Sequence, residues 1–170
     1  MNEIDYLKDL DGLRKMKALV DDFKVVMIAS KLGNVPFSVC PMTLLKMDEG
    51  GELWFFISLD SGLYKDILYD PRVQIIYCDQ KRQKHLSIFG RASLVTSQEK
   101  KAELWHCGQL QWFEGKDDPN LVLLSISPKE SYYWDNENNE PVPFFNKLQS
   151  DRPTDGPPVG RKGKIRFWNH

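Results

Sequence analysis

The chain has 170 residues, of which 41% are hydrophobic and 28% charged, and its formal net charge is -1 at pH 7. This length and composition are typical of one soluble domain with its own core. A net charge near zero provides no overall attraction to nucleic acid or to an anionic membrane. The longest apolar run, Val25 to Ala29, is far shorter than the roughly 20 residues of a membrane-spanning helix. With acidic residues where a signal peptide would be basic, we expect a cytoplasmic protein that binds neither membrane nor nucleic acid.

The cysteines indicate neither a disulfide framework nor a metal centre. Cys40, Cys78 and Cys107 are few, odd in number and widely spaced, and no C-x-x-C pair occurs. Three buried thiols that act as small apolar residues are therefore expected. The three histidines lack the spacing of a zinc site, so no metal is predicted.

The first half of the chain predicts a helix followed by strands. Apolar residues recur at helical spacing from Ile4 to Val20, with a break expected at Gly12. Short β-branched and aromatic runs then predict strands over residues 25–30, 35–40 and 53–58. A short helix is predicted over residues 63–69, since the following Asp70-Pro71 disfavours its continuation.

The second half repeats this pattern and then loses it. Strands are predicted over residues 73–78, 85–92, 121–126 and 131–134, with Gly90 as a bulge. The capping-box spacing from Thr96 to Glu99 predicts a helix that runs toward Phe113. From Asp135 the chain shows no clear period, and its basic run over residues 160–166 is expected to be a solvated tail.

Hairpins joined by tight turns, with few crossover helices, favour an antiparallel barrel over a doubly wound sheet. The predicted fold class is therefore mainly β, a β-barrel with flanking helices. The barrel domain is predicted over residues 1–135. Residues 136–170 are predicted to form an irregular tail that packs on, or extends from, the same domain.

Several motifs occur in an order that is more specific than any one of them. They are Glu52 to Ser61 (ELWFFISLDS), Ile67 with Asp70 to Val73, Tyr77 with Asp79, Trp112 to Gly115, Asp117 to Leu124, and Tyr133 to Asp135. Together they resemble the pyridoxamine 5'-phosphate oxidase-like family, in its general stress protein branch, from about Asp5 to Trp134. The resemblance implies a split β-barrel of the FMN-binding type and a homodimer with flavin mononucleotide (FMN) at its interface.

The resemblance assigns the flavin phosphate to Ser61 and Gly62. A phosphate dianion requires backbone N–H groups and charge-assisted donors, and a helix start offers free N–H groups at the positive end of its dipole. The alternative is an ordinary serine N-cap without a ligand.

The flavin ring is assigned to the strand that contains Phe56, Ile57 and Ser58. Alternation places Phe56 and Ser58 on one face of this strand, and its backbone would serve the ring. Trp112 and Phe113 are candidates to cover the ring from the partner subunit. The alternative for these aromatic residues is core or dimer packing.

The chain departs from the family at two candidate binding positions. The segment Val39, Cys40, Pro41 and Met42 carries cysteine where the family commonly has arginine, and Leu63 stands where it commonly has lysine. Cysteine supplies neither the charge nor the fork of a guanidinium. Lys65 is the first candidate replacement, and three further cations are alternatives: Arg72, Lys84 and Arg91.

The resemblance implies a flavin-dependent oxidoreductase, in which the cofactor carries the electrons and no side-chain nucleophile is required. Catalytic side chains are therefore not assigned. Two alternatives stay open: a flavin-binding stress protein without turnover, and a barrel that has lost the flavin and acts in interactions.

Overall fold

The computed structural model describes residues 5–21, 24–106, 111–135 and 161–167. In these ranges the chain forms nine strands and three helices. In chain order they are β1 (Asp5–Lys8), α1 (Asp9–Val20), β2 (Val25–Ser30), β3 (Ser38–Thr43), β4 (Lys46–Met47), β5 (Leu53–Ser58), α2 (Gly62–Tyr69), β6 (Arg72–Asp79), β7 (Lys84–Val95), α3 (Gln98–Leu104), β8 (Leu121–Asp135) and β9 (Arg161–Arg166).

The strands form one curled sheet in the order β1-β9-β8-β7-β6-β2-β3, and β5 branches from β8 with β4 on its far side. All pairs are antiparallel except β1 with β9. The curl brings β3 close to β5, but these two strands do not pair. The fold is therefore mainly β, a split barrel, as the sequence predicts, and its gap lies between β3 and β5.

Two apolar clusters lie on opposite faces of β5. Phe55 and Ile57 point into the main core, which α1 closes through Met16 and α2 closes through Ile67. On the other face, Trp54 and Phe56 pack with Leu104, Leu121 and Leu123. The predicted alternation of β5 is confirmed, because each face of the strand has its own apolar partner.

The N-terminal prediction is wrong for residues 5–8, which form β1 rather than the start of the helix. They pair in parallel with β9, more than 150 residues later in the chain. The helix begins at Asp9 and continues through Gly12 without a break. The sequence gives no local sign of this strand, because the apolar spacing of residues 5–8 continues that of the helix. Only the distant partner β9 makes these residues a strand.

Two further boundaries differ from those expected. β3 begins at Ser38 rather than at residue 35, since the chain first reverses direction after Ser30, the residue that Ser38 faces on β2. The two strands predicted over 121–126 and 131–134 are one continuous strand, β8. The register shifts between Phe89 and Gly90, which confirms the predicted bulge at Gly90.

The third helix is shorter than predicted. α3 ends at Leu104, and Trp105 is already extended. Its N-cap is Ser97, whose hydroxyl accepts from the Lys100 N–H, rather than Thr96. The expected continuation toward Phe113 passes through residues 107–110, which lie outside the described residues.

The basic run near the C-terminus is not a solvated tail. Residues 161–166 form β9, which joins the sheet between β1 and β8, and Ile165 is fully buried. The expectation of three buried thiols is also wrong for Cys78, which is exposed, because alternation turns it outward on β6. Cys107 lies outside the described residues, and the division of the chain at residue 135 stays a prediction.

Candidate functional site

One backbone edge of β5 is open beside the gap in the barrel. The Leu59 N–H donates to Asn120 O next to β8, whereas Trp54 O accepts from Leu45 N on the opposite side. Successive residues of a strand alternate between its two edges, so Phe56 and Ser58 direct their backbone groups away from β8. Among the described strands only β4 pairs there, and its pairing ends at Trp54.

On the other side of the gap, the four candidate residues of β3 divide between two faces. Cys40 and Met42 pack partly against the main core, whereas Val39 and Pro41 are exposed. The structure thus brings the β3 segment near the strand that contains Phe56, and the role of both segments in cofactor binding stays a prediction. Only the alternate residues of β3 point toward the core.

The N-terminus of α2 follows directly after β5. Ser61 is its N-cap, and its hydroxyl accepts from the Tyr64 N–H at 3.1 Å and donates to Ser58 O at 2.6 Å. Gly62 is the first helical residue, and Lys65 is exposed. The Ser61 side chain therefore already has a donor and an acceptor within the chain, as in the capping alternative.

A buried carboxylate lies at the β2–β3 side of α2. Asp66 is 3% exposed and accepts from the Ser30 hydroxyl at 2.7 Å and from Lys31 Nζ at 2.8 Å. Burial opposes its ionisation, but the hydrogen bonds from Lys31, Ser30 and Ser38 outweigh burial and lower its pKa. The same carboxylate and, above all, burial raise the pKa of the Cys40 thiol.

Of the positions considered as sources of a cation, Leu63 is apolar and Arg72 is paired with a carboxylate. Leu63 is 5% exposed and belongs to the main core. Arg72 forms three hydrogen bonds to the Asp70 carboxylate at 2.7–3.1 Å, and these bonds lower the pKa of Asp70 to about 2. Arg91 on β7 stands opposite Arg72 on β6 in the strand register. Lys84 lies at the other end of β7.

The aromatic candidates have separate environments. Phe56 packs against Trp105, with ring centroids 5.9 Å apart, and Phe113 packs on the same cluster from its own chain. Trp112 is 72% exposed. Phe113 thus packs within its own chain and Trp112 is exposed, and the role of either residue toward a partner subunit stays a prediction.

Sequence reasoning missed the polar group around Asp66. Ser30 and Lys31 lie at the end of β2, Ser38 begins β3 and Asp66 is on α2, so no motif unites them. One signal was present: Asp66 lies three residues after Leu63 and one before Ile67, on the apolar face of a short helix. A charged residue on such a face requires a partner. In the described part of the chain, no group of three His, Cys, Asp or Glu residues forms a metal site.

Comparison with known proteins places this fold and chain in one family. The family model described as "Pyridoxamine 5'-phosphate oxidase like" matches residues 11–152. The chain belongs to this family. General stress protein 26 of Bacillus subtilis (strain 168) is 28% identical over 123 residues, which are 71% of this chain and 86% of that protein.

Solved structures agree with the family assignment. The general stress FMN/FAD binding protein of the phytopathogen Xanthomonas citri is 31% identical, with a TM-score of 0.62 over 74% of this chain and 89% of that one. The General Stress Protein 26 of Bacillus anthracis str. Sterne shares the fold at 21% identity and a TM-score of 0.63, over 71% of this chain and 92% of that one. No helix among the described residues is long and apolar enough to cross a membrane.

Proposed function

We propose that this member of the pyridoxamine 5'-phosphate oxidase-like family binds a flavin in the gap between β3 and β5 and acts as an FMN-dependent oxidoreductase of the general stress type. The open backbone edge of β5, at Phe56 and the Ser58 N–H, carries the proposal. The Xanthomonas citri relative, named as binding FMN or FAD, supports it. The expected cytoplasmic location belongs to the same proposal and rests on the sequence.

The residues present fit the ring of a flavin. Its pyrimidine edge carries alternating N–H and C=O groups, which match the N–H and C=O of Phe56 and the N–H of Ser58. The Ser58 carbonyl oxygen already accepts from the N–H and the hydroxyl of Ser61. Met42 offers apolar contact on the β3 side. A bound flavin would supply the electron transfer, and the protein would orient the ring and exclude water.

The residues present do not fit the phosphate of FMN equally well. The Ser61 hydroxyl is satisfied within the chain, Cys40 lies near the Asp66 carboxylate, and Leu63 is in the core. The N–H groups at the start of α2 and the exposed Lys65 are what this chain offers there. We therefore propose a cofactor that is held mainly through its ring.

The homodimer is part of the proposal, and an exposed apolar face of the sheet supports it. Met27 pairs with both Pro41 and Ile76, so these residues form one row across β3, β2 and β6. Val25, two residues before Met27, extends the same face, and it is 54% exposed. Contiguous apolar surface of this kind usually marks an interface, and this face adjoins the gap through β3.

The first experiment records the visible absorbance of the purified protein before and after addition of flavin. It then measures whether nicotinamide cofactors reduce the bound flavin. Cys40→Phe should fill the gap from the β3 side and weaken flavin binding about tenfold or more. Gln80→Phe, in the exposed turn after β6, is the matched control, and thermal unfolding checks that both variants fold.

The other functions predict different results. Bound flavin that nicotinamide cofactors do not reduce would favour a flavin-binding stress protein without turnover. Purified protein without flavin absorbance, which also fails to bind added FMN or riboflavin, would contradict the proposal. That result would favour a flavin-free interaction protein.

A further inference from the structure

The segment that builds both sides of the gap is acidic. Residues 30–72 contain β3, β4, β5 and α2, with four lysine or arginine residues against six aspartate or glutamate residues. The local net charge is therefore negative, although the whole chain is nearly neutral.

Three of the four cations in this segment are paired with carboxylates of the same chain. Lys31 Nζ lies 2.8 Å from Asp66 Oδ1. Arg72 Nη2 lies 2.7 Å from Asp70 Oδ2. The third, Lys46, lies 3.5 Å from a Glu103 oxygen. An anion that recruits one of these cations shares it with a carboxylate that already offsets its charge, so the net attraction is smaller than that of an unpaired cation.

The fourth cation is Lys65, which is exposed on α2 next to Asp66. Asp66 points inward and Lys65 outward, because consecutive helical residues lie about 100° apart. An exposed lysine adds little to the binding of an anion, since solvent and salt screen its charge.

The hydrogen-bond groups near the start of α2 are also partly used. The Ser61 hydroxyl caps the helix through the Tyr64 N–H and donates to Ser58 O. The Cys40 thiol, on β3, is near a carboxylate that the bonds from Ser30 and Lys31 hold in its charged form. A dianion placed here would have no dedicated cation in this segment except the exposed Lys65.

We infer that this chain recognises a flavin through its isoalloxazine ring and derives little affinity from the phosphate, so that riboflavin and FMN bind with similar strength. The inference rests on the proposed flavin site in the gap. The inference follows from two observations. The open backbone edge of β5 offers neutral hydrogen-bond groups to the ring, whereas most cations near the gap are already paired with carboxylates.

The experiment measures the dissociation constants of riboflavin and FMN for the full chain by quenching of flavin fluorescence, at low and high salt. The two constants should agree within about threefold and change little with salt. A dedicated phosphate site with a charge-assisted bond would make FMN bind roughly tenfold or more tightly and in a salt-dependent manner.

Two variants sharpen the comparison. Cys40→Arg adds one cation on the β3 side of the gap and should raise the preference for FMN about tenfold. Lys81→Gln, in the exposed turn after β6, changes charge elsewhere and is the control. Lys65→Gln removes the one unpaired cation of residues 30–72 and should leave the ratio of the FMN and riboflavin dissociation constants unchanged.

The outcomes separate the inference from the proposed function. Clear preference of the wild-type chain for FMN, or a selective loss of FMN affinity in Lys65→Gln, would overturn the inference and leave flavin binding intact. Failure of both flavins to bind would overturn the inference and the proposed function together.

Discussion

At the scale of single residues, Asp66 does most to organise the candidate site. It links α2 to the end of β2 through Ser30 and Lys31. Ser30 is 1% exposed, so its hydroxyl depends on this carboxylate for a hydrogen bond. Local sequence shows the charge on the apolar face of a helix, but only the packed structure shows its partners.

We expect Asp66→Ala to lower the free energy of unfolding by about 2–3 kcal/mol, because it leaves the buried Ser30 hydroxyl and Lys31 without their acceptor. Urea denaturation at pH 7 measures the change. Asp117→Ala, at an exposed position in the loop before β8, is the control and should have little effect. An equally stable Asp66→Ala protein would show that the buried network does not stabilise the fold.

The same carboxylate predicts a pH dependence. The hydrogen bonds lower the folded-state pKa of Asp66 below its ordinary value of 3.8, so its stabilising effect is complete above that value. The effect is lost as the pH falls through the folded-state pKa, because the protonated group no longer pairs with Lys31. The stability difference between wild type and Asp66→Ala should therefore shrink at pH 3 relative to pH 7. A difference that is constant with pH would contradict this assignment of charge.

At the scale of elements, β9 joins the chain's ends to the centre of the sheet. It pairs with both β1 and β8, and Gly163 lies against the ring of the buried Tyr133. Lys15 from α1 stacks 5.0 Å from that ring and forms an ion pair with Asp135 at 2.8 Å. The absence of a side chain at position 163 is what allows β9 to lie flat on this aromatic group.

Gly163→Ala should lower the free energy of unfolding by about 1–3 kcal/mol, because the added Cβ would overlap the Tyr133 ring. Hydrogen exchange should quicken first in β1 and β9. Gly115→Ala, where an added Cβ meets nothing within 4 Å, serves as the control. Unchanged exchange in β9 would mean that the strand adjusts to the ring without loss.

At the scale of the whole molecule, the two sides of the sheet have different roles. The inward side chains of β2 and β6 form the core, whereas Val25, Met27 and Ile76 on the outer side are exposed. Alternation along each strand produces both faces from the same segments. The proposed homodimer would bury the outer face next to the candidate flavin site.

We expect Ile76→Lys to convert the dimer to monomer, since a lysine in the apolar row would be desolvated without a partner. Light scattering coupled to gel filtration measures the mass. Glu99→Lys, at an exposed position in the first turn of α3, is the control for added charge. A dimeric Ile76→Lys protein would place the interface elsewhere, and a monomeric wild-type chain would contradict the proposed assembly.

The sequence alone determined the strands β2 and β5 to β7, the short helix α2, the bulge at Gly90 and the family. These features depend on local periodicity, turn residues and ordered motifs, all of which are visible along the chain. The continuity of β8 and the pairing of β1 with β9 were decided only by tertiary structure, because strand partners lie far apart in sequence. The same reason hid the open edge of β5 and the pairing of Lys31 with Asp66. What a flavin would meet in the gap therefore depends on contacts between distant segments, and those contacts shift the expected recognition from the phosphate to the ring.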